Sequence, residues 1–289
     1  MERIKLICLV GIPGSGKTTY AEKYIKEHGG LHLSSDLIRK ELYGDESTQG
    51  NPSEVFALMQ DRAIEALNNG TSVVYDATNI TRKDRSYIIN LCPKFVQIEA
   101  HIIWAPIETC IERDAARERT VGTAVIDKML KRFQPPFYDE GFDYIKLVLP
   151  EYFNRSGYAS EVIDVMKIPH DNPHHSVEIY EHCVEAYNNA YKLNSNDEFC
   201  LAALIHDIGK PYTKAFIDSK GNPCETAHYY SHHNVSGWMS YGCANVTPFV
   251  AWLVGTHMEP FFESKYYNKL PPFLKKYVDD LHKCDLDAH

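Results

Sequence analysis

No two cysteines stand in C-x-x-C spacing. The eight in the chain, Cys8, Cys92, Cys110, Cys183, Cys200, Cys224, Cys243 and Cys284, are scattered, which excludes a zinc ribbon or a dithiol redox centre and leaves buried, reduced thiols as the expectation. Long apolar runs are missing too. The stretch 4–10 is interrupted by Lys5 and is too short for a signal or membrane segment, and no later run approaches the span of a bilayer. A cytoplasmic protein with no membrane partner is expected. Nor is there an excess of positive charge: 30 Lys and Arg stand against 39 Asp and Glu, a net −9. The chain as a whole is therefore no electrostatic trap for nucleic acid, and any polyanion would have to be held by a local basic groove. With no internal repeat and no low-complexity tract, solenoids and disordered tails drop out. What remains is 289 residues, enough for two domains that each bury a core.

The first half alternates short apolar runs with longer amphipathic stretches, the signature of strands joined by crossover helices in a mainly parallel sheet. Strands are expected at 5–10, 31–33, 72–75, 97–104 and 144–149. A crossover helix is expected at 53–68, where Val55, Leu58, Met59, Arg62 and Ala66 fall at helical spacing before the stop signal Asn69-Gly70. After Pro150 strand signals give way to helical periodicity. The reading is an α/β domain over 1–158 followed by an all-α domain over 159–289.

Gly11, Gly16, Lys17 and Thr18 satisfy G-x-x-x-x-G-K-[ST] after a strand and before a helix at 17–27. In such a loop Gly11, Gly14, Ser15 and Gly16 turn backbone amides toward phosphates, Lys17 reaches the β and γ oxygens, and Thr18, with Thr19 beside it, lies at a helix N-terminus where its hydroxyl can ligate Mg²⁺. ATP or another NTP with Mg²⁺ is the expected cofactor pair, although an ordinary glycine-rich turn would share the pattern. Asp36 and Arg39, in SSDLIRK, follow the second strand. There a carboxylate can accept the proton of an attacking hydroxyl and a guanidinium can hold a phosphate; Ser34, Ser35 and Asp36 would also suit a helix N-cap. Asp76 closes the strand VVYD, where it could orient Mg²⁺ or simply form a turn. Arg113, Arg117 and Arg119 end an amphipathic helix. Such residues either form a cationic lid over a nucleotide or are solvated, and position favours the lid for Arg113 and Arg117 more than for Arg119.

GIPGSGKTT, SSDLIR, DATN, the R-D-A-A-R run and EGFDYI, in that order, resemble the polynucleotide 5′-kinase family of end-healing enzymes over roughly the first half. The resemblance implies that Asp36 is the general base for a 5′-hydroxyl, that Arg39 binds the acceptor-side phosphate, and that Arg113 and Arg117 contact the donor. Ser35 stands where some members carry a basic residue, which bears on acceptor preference.

In the second half FCLAALIHDIGK is an apolar run ending in His206-Asp207, a buried polar pair that wants a cation. His182 lies in a helical run with Val177, Ile179, Tyr180, Cys183, Val184 and Tyr187. His257 follows Val250, Leu253 and Val254 on one helical face, Asp285 follows Val278 and Leu281, and His232 opens SHHNVSGWMS. Taken singly, each histidine could as well be a satisfied core or surface residue. Together four His and two Asp from five helices could hold one or two divalent ions with mixed N/O ligation. The order H...HD...H...H...D resembles the HD phosphohydrolase superfamily, with His182, His206, Asp207, His232, His257 and Asp285 as ligands; His233, His174 and His175 are alternative registers. That resemblance implies an all-α fold, metal-assisted cleavage of phosphate esters by a Mn, Fe, Ni, Co or Zn class ion, and Lys210 as a phosphate contact.

A kinase and a phosphoesterase in one chain suit the two termini left by a single break, so the favoured expectation is a bifunctional end-healing enzyme acting on DNA or RNA ends, with a separate ligase as partner. A small-molecule or nucleoside kinase fused to a nucleotide phosphohydrolase is the alternative, and a nucleotide-sensing HD module that regulates the kinase is a third.

Overall fold

The structure is a computed structural model that describes residues 3–45, 48, 50–172 and 177–288. His174 and His175 lie outside the described residues. Two compact units emerge, Met1–Met129 with Pro136–Glu151, and Leu130–Pro135 with Tyr152–His289. The change of unit at Glu151 lies upstream of the 158/159 division read from the sequence. The excursion of 130–135 also belongs to the second unit: Phe133 is buried, its ring edge-on to Trp238 at 5.2 Å, and the Asn234 amide donates to the Lys131 carbonyl at 2.7 Å.

In the first unit β1 (Lys5–Val10), β2 (Leu31–Ser34), β3 (Val73–Asp76), β4 (Gln97–Ile103) and β5 (Tyr144–Val148) form one all-parallel sheet in the order β2-β3-β1-β4-β5. The crossovers are α1 (Lys17–His28), α2 (Ser35–Tyr43) and α3 (Pro52–Asn68), α4 (Arg82–Leu91), then α5 (Ile107–Ala115) and α6 (Thr123–Leu130). From Leu6 to Val10 strand β1 reads as an unbroken apolar run because it is covered on both faces. Successive residues split between two cores: Leu6 packs with Leu33, Val73 and Tyr75 under α2, α3 and α4, while Ile7 and Leu9 pack with Val74, Ile103 and Ala21 of α1. Each such side chain contributes about 1.5–3 kcal/mol when buried. Helix α3 begins at Pro52 with Asn51 as its cap, the side chain accepting from the Ser53 amide. Its buried stripe is Val55, Met59, Ala63 and Leu67. Arg62, expected on that face, instead forms a bidentate pair with Glu41 at 2.6 and 2.7 Å, because the i, i+4 stripe is rotated away from it.

A parallel sheet puts every strand's carboxyl end on one edge. The loop after β1, Ser34 at the end of β2 and Asp76 at the end of β3 therefore share the edge where ligands of open α/β sheets bind.

The second unit is built from α7 (Arg155–Met166), α8 (Ile179–Leu193), α9 (Asp197–Ile205), α10 (Lys210–Thr213), α11 (His232–Ser240), α12 (Pro248–Thr256), α13 (Glu259–Phe262) and α14 (Pro272–Leu286). Helix α12 is buried on every side from Val250 to Thr256 and packs on α9, α11 and α14; α8 packs on α9 and α14. An all-apolar helix belongs in the middle. The unit is helical as expected except for a hairpin, β6 (Ala215–Ile217) paired with β7 (Pro223–His228). Its turn is closed by Asp218, whose carboxylate accepts from the Lys220 and Asn222 amides at 2.8 Å. That turn chemistry outweighs helical periodicity locally. No described helix is long and apolar enough to cross a membrane.

Candidate phosphate-binding loop and candidate metal centre

The loop after β1 is tied down at both ends: the Gly11 backbone amide donates to the Thr78 carbonyl at 3.0 Å and the Asn79 side-chain Nδ2 to the Leu9 carbonyl at 2.7 Å. Gly14 has φ +78°, and a Cβ there would fall 2.1 Å from the Cys110 carbonyl oxygen, so only glycine fits. Ser15 Oγ is buried without a hydrogen-bond partner, as expected of a donor that serves a ligand. Lys17 Nζ donates to the Ile12 carbonyl at 3.0 Å. Burial lowers its pKa, Asp76 opposes that, and Arg117 adds to the lowering. Thr18 Oγ1 donates to Asp76 Oδ2 at 3.2 Å, a hydroxyl and a carboxylate side by side where Mg²⁺ would fit. Thr19 is exposed on the first turn of α1. His32, which sequence reasoning missed, faces Asp76 Oδ2 through Nε2 at 3.0 Å; the parallel register that sets Ser34 beside Asp76 brings it there.

Asp36 lies in the first turn of α2 and is not its cap, which is Ser34. Its Oδ1 lies 2.8 Å from Arg39 Nη1 and 3.7 Å from Arg119 Nη1, with the side chain 54% exposed. Of Arg113, Arg117 and Arg119, it is Arg119, placed behind its neighbours by sequence position, that the described ion pairs bring to Asp36. Arg113 approaches the loop from α5, its Nη1 3.9 Å from where a Gly16 Cβ would lie.

The segment carrying Arg117 and Arg119 is folded back on Asp114, a buried carboxylate that sequence reasoning also missed. It accepts from Thr120 Oγ1 (2.8 Å), the Val121 amide (3.1 Å) and the Gly122 amide (2.9 Å). Burial raises the Asp114 pKa, but these donors and Arg117 outweigh it and hold the carboxyl below its ordinary value. A carboxyl lowered on folding stabilises the fold above its unfolded pKa, and that contribution disappears as pH falls through the folded value. Asp114→Asn should therefore cost about 1.5–3 kcal/mol at pH 7. Thermal melts should show the gap to wild type closing as the pH falls below the ordinary aspartate range, and an unchanged gap would exclude the ionised cap.

In the second unit the six expected ligands come together from five helices: His182 from α8, His206 and Asp207 following α9, His232 from α11, His257 following α12 and Asp285 from α14. Asp207 stands at the centre with its two oxygens facing different histidines. Oδ2 lies 3.5 and 3.3 Å from the Nε2 atoms of His182 and His206, and Oδ1 lies 3.1 and 3.8 Å from those of His232 and His257. Asp285 Oδ1 completes the first side, 2.9 Å from His182 and 3.3 Å from His206.

All four rings spend Nδ1 on a backbone carbonyl: His182 on Ala288 (3.1 Å), His206 on Ala203 (2.8 Å), His232 on Tyr229 (2.8 Å) and His257 on Val254 (2.7 Å). For His206 and His257 the carbonyl lies three residues back, where the helix end leaves a free acceptor. The Nδ1–H bonds assign the tautomer and leave every Nε2 lone pair pointing inward. His232 and His257 set two such atoms 3.1 Å apart.

The donor set fits a divalent cation in two respects. Oδ1 of buried Asp207 accepts no well-formed hydrogen bond, and the ligands divide into His182, His206, Asp207 and Asp285 on one side and Asp207, His232 and His257 on the other, each group within 4.8 Å. Imidazoles mixed with carboxylates suit transition ions. Burial opposes ionisation of Asp207, but His206, Lys210 and His232 hold its pKa well below the ordinary value. Burial, with His206 and His232 adding to it, pushes His257 well down. His233 is not among the grouped ligands; its ring packs against His257 and Phe262.

Lys210 Nζ lies 2.6 Å from Asp207 Oδ2 and 3.4 Å from His170 Nε2, and His170 is a buried residue that the motif search did not reach. Gly209 permits this placement, since a Cβ would lie 2.6 Å from both the His232 carbonyl oxygen and the Ser236 amide.

Residues 6–136 match the AAA domain family and residues 179–285 match the HD domain family. The chain is similar to the bifunctional polynucleotide phosphatase/kinase of Schizosaccharomyces pombe, 26% identical over 153 residues, 51% of this chain and 34% of that protein. It is also similar to adenylate kinase isoenzyme 1 of Cyprinus carpio, 33% identical over 133 residues, 41% of this chain and 66% of that protein. Across these and further curated relatives it spans between 15% and 66% of the relative's length. A chain from the structure of the Pnkp1/Rnl/Hen1 RNA repair complex overlaps 46% of this chain and 44% of its own, at 22% identity and a TM-score of 0.42.

Proposed function

We propose that this chain, which joins an AAA domain to an HD domain, heals broken nucleic-acid ends. The first unit would transfer the γ-phosphate of ATP or another NTP to a 5′-hydroxyl, and the second would remove a 2′,3′-cyclic phosphate or a 2′- or 3′-phosphate. The ends would then pass to a separate ligase. The observation that carries the kinase reading is the setting of Asp36: it lies on the edge that holds the phosphate loop, is flanked by Arg39 and Arg119, and is 54% exposed. A base this open can meet the terminus of a polymer.

In the first unit Lys17 and the loop amides hold the donor phosphates, Asp36 accepts the hydroxyl proton, and Arg39 grips the acceptor-side phosphate. Arg113, Arg117 and Arg119 offset charge developing on the transferred group. Mg²⁺ would sit against Thr18 and Asp76. In the second unit His182, His206, Asp207, His232, His257 and Asp285 would hold one or two divalent ions, which supply Lewis acidity toward the phosphate ester and lower the pKa of water. The Lys210 ammonium, kept charged by Asp207, would contact a phosphate oxygen.

Incubation with ATP, Mg²⁺ or Mn²⁺ and oligonucleotides bearing 5′-hydroxyl and 2′,3′-cyclic phosphate ends, with both termini followed, tests this. Lys17→Ala should depress 5′ phosphorylation by about 10²–10³ and leave the 3′ reaction unchanged. The likeness to adenylate kinase isoenzyme 1 favours a second reading, a nucleoside or nucleotide acceptor. Phosphorylation of mononucleotides with no transfer to oligonucleotides would select it. Nucleotide binding to the HD unit with no turnover would make that unit a sensor.

A further inference from the structure

The HD unit carries a shelf of aromatic rings that leads outward from its ligands. The His233 ring lies 6.2 Å from the ring of His257 and 5.6 Å from that of Phe262, and Phe262 is edge-on to Phe261 at 5.5 Å. Phe261 is 70% and Phe262 54% exposed. Both sit on α13, which starts two residues after His257. The turn that holds them ends at Glu263 in the left-handed region, φ 46°, unusual for a non-glycine residue. The Glu263 amide donates to the Glu259 carbonyl at 2.9 Å, and Ser264 Oγ donates to the Glu259 carboxylate. Adjacent exposed phenylalanines on a strained turn forgo burial worth about 1.5–3 kcal/mol each, and contiguous exposed apolar surface marks a binding site.

We propose that Phe262, backed by His233 and extended by Phe261, is the stacking platform for the base of the nucleotide whose phosphate is processed at the His/Asp cluster. The occupant is a nucleobase rather than a protein segment because the shelf is continuous with the cluster: two ring-to-ring steps connect a ligand histidine to an exposed aromatic face, the scale on which a nucleotide separates phosphate from base. Stacking accepts any base, since each has a π-face, so the site selects nucleotides over plain phosphate esters without reading sequence. This rests on the proposal that the cluster handles phosphate esters of nucleic acid.

The test is equilibrium binding to the full chain, with Mn²⁺ present and the phosphate loop silenced by Lys17→Ala. Calorimetry would compare adenosine 3′-phosphate with glycerol 2-phosphate, a phosphomonoester with no base. Phe262→Ala should weaken the nucleotide by roughly 5- to 100-fold, collapsing its preference over glycerol 2-phosphate toward one. Phe262→Trp should restore that preference. Equal weakening of both ligands, or an unchanged preference in Phe262→Ala and in the Phe261→Ala/Phe262→Ala pair, overturns the assignment and leaves a protein partner as the occupant. Binding that depends on the base in a protein that hydrolyses neither ester supports the platform and removes only the phosphoesterase reading.

Discussion

Asp207→Asn is expected to abolish phosphate-ester hydrolysis by the HD unit, at least about a thousandfold, and to lower transition-metal content measured on the same preparation. The reason lies in how the two carboxylate oxygens are used. Oδ2 faces His182 and His206 while Oδ1 faces His232 and His257, so one side chain serves both halves of the ligand set. An amide of the same size keeps one acceptor and turns a donor toward the other half, where inward-pointing Nε2 atoms need a Lewis acid. Metal assistance is worth several kcal/mol of transition-state stabilisation, and each 1.36 kcal/mol is tenfold in rate. The variant also leaves Lys210 beside a neutral partner in a buried site, a stability cost of about 3–5 kcal/mol if the charge stays. A thermal melt of the variant is the control for folding, and ATP-dependent phosphorylation by the other compact unit shows that the sample is active. Full metal content with full hydrolysis in Asp207→Asn would rule out the bridging arrangement.

Glu140→Ala should be the most destabilising single change in the first unit, about 3–5 kcal/mol. Arg85 is fully buried and meets Glu140 through two parallel bonds of 2.7 Å, from Nε to Oε2 and from Nη2 to Oε1. Its Nη1 also donates to the Asn79 carbonyl at 3.0 Å, and Glu140 Oε1 accepts from the Phe137 amide at 3.1 Å. Removing the carboxylate strands a guanidinium in the interior, which costs far more than the pair contributes relative to apolar residues. The double replacement Arg85→Met with Glu140→Leu should therefore recover most of the loss. Each kcal/mol lowers the melting temperature by roughly 2–4 °C in a domain of this size, so a melt separates the single from the double variant. Kinase activity should fall with the single variant, because Asn79 links this pair to the Leu9 carbonyl at the start of the phosphate loop. Equal melting temperatures for wild type and Glu140→Ala would mean that the pair contributes nothing.

The EGFDYI motif thereby acquires a physical content that a string of letters does not carry. Glu140 neutralises Arg85, and Asp143 accepts the Ile98 amide at 2.7 Å. All five strands of the sheet lie close to where apolar runs put them, although β4 also buries Glu99 and His101. The hairpin at 215–228 was not anticipated because short, half-exposed strands leave little apolar signal, though the turn DSKGN marks the place.

Local pattern determined the phosphate loop and the candidate ligand histidines. Glycines are required where backbone approaches backbone, and a ligand imidazole after an apolar helix finds a free carbonyl three residues back. The partners of His32, Asp114 and His170, and the approach of Arg119 to Asp36, came only from the fold, because they are brought up by strand register, by the segment after α5 turning back on Asp114 and by packing of the helical unit. Composition and spacing decide which residues are able to bind a cation or a phosphate. Which oxygen of Asp207 faces which pair of rings depends on five helices meeting within hydrogen-bond distance, and that follows from long-range packing, which a one-dimensional period does not encode.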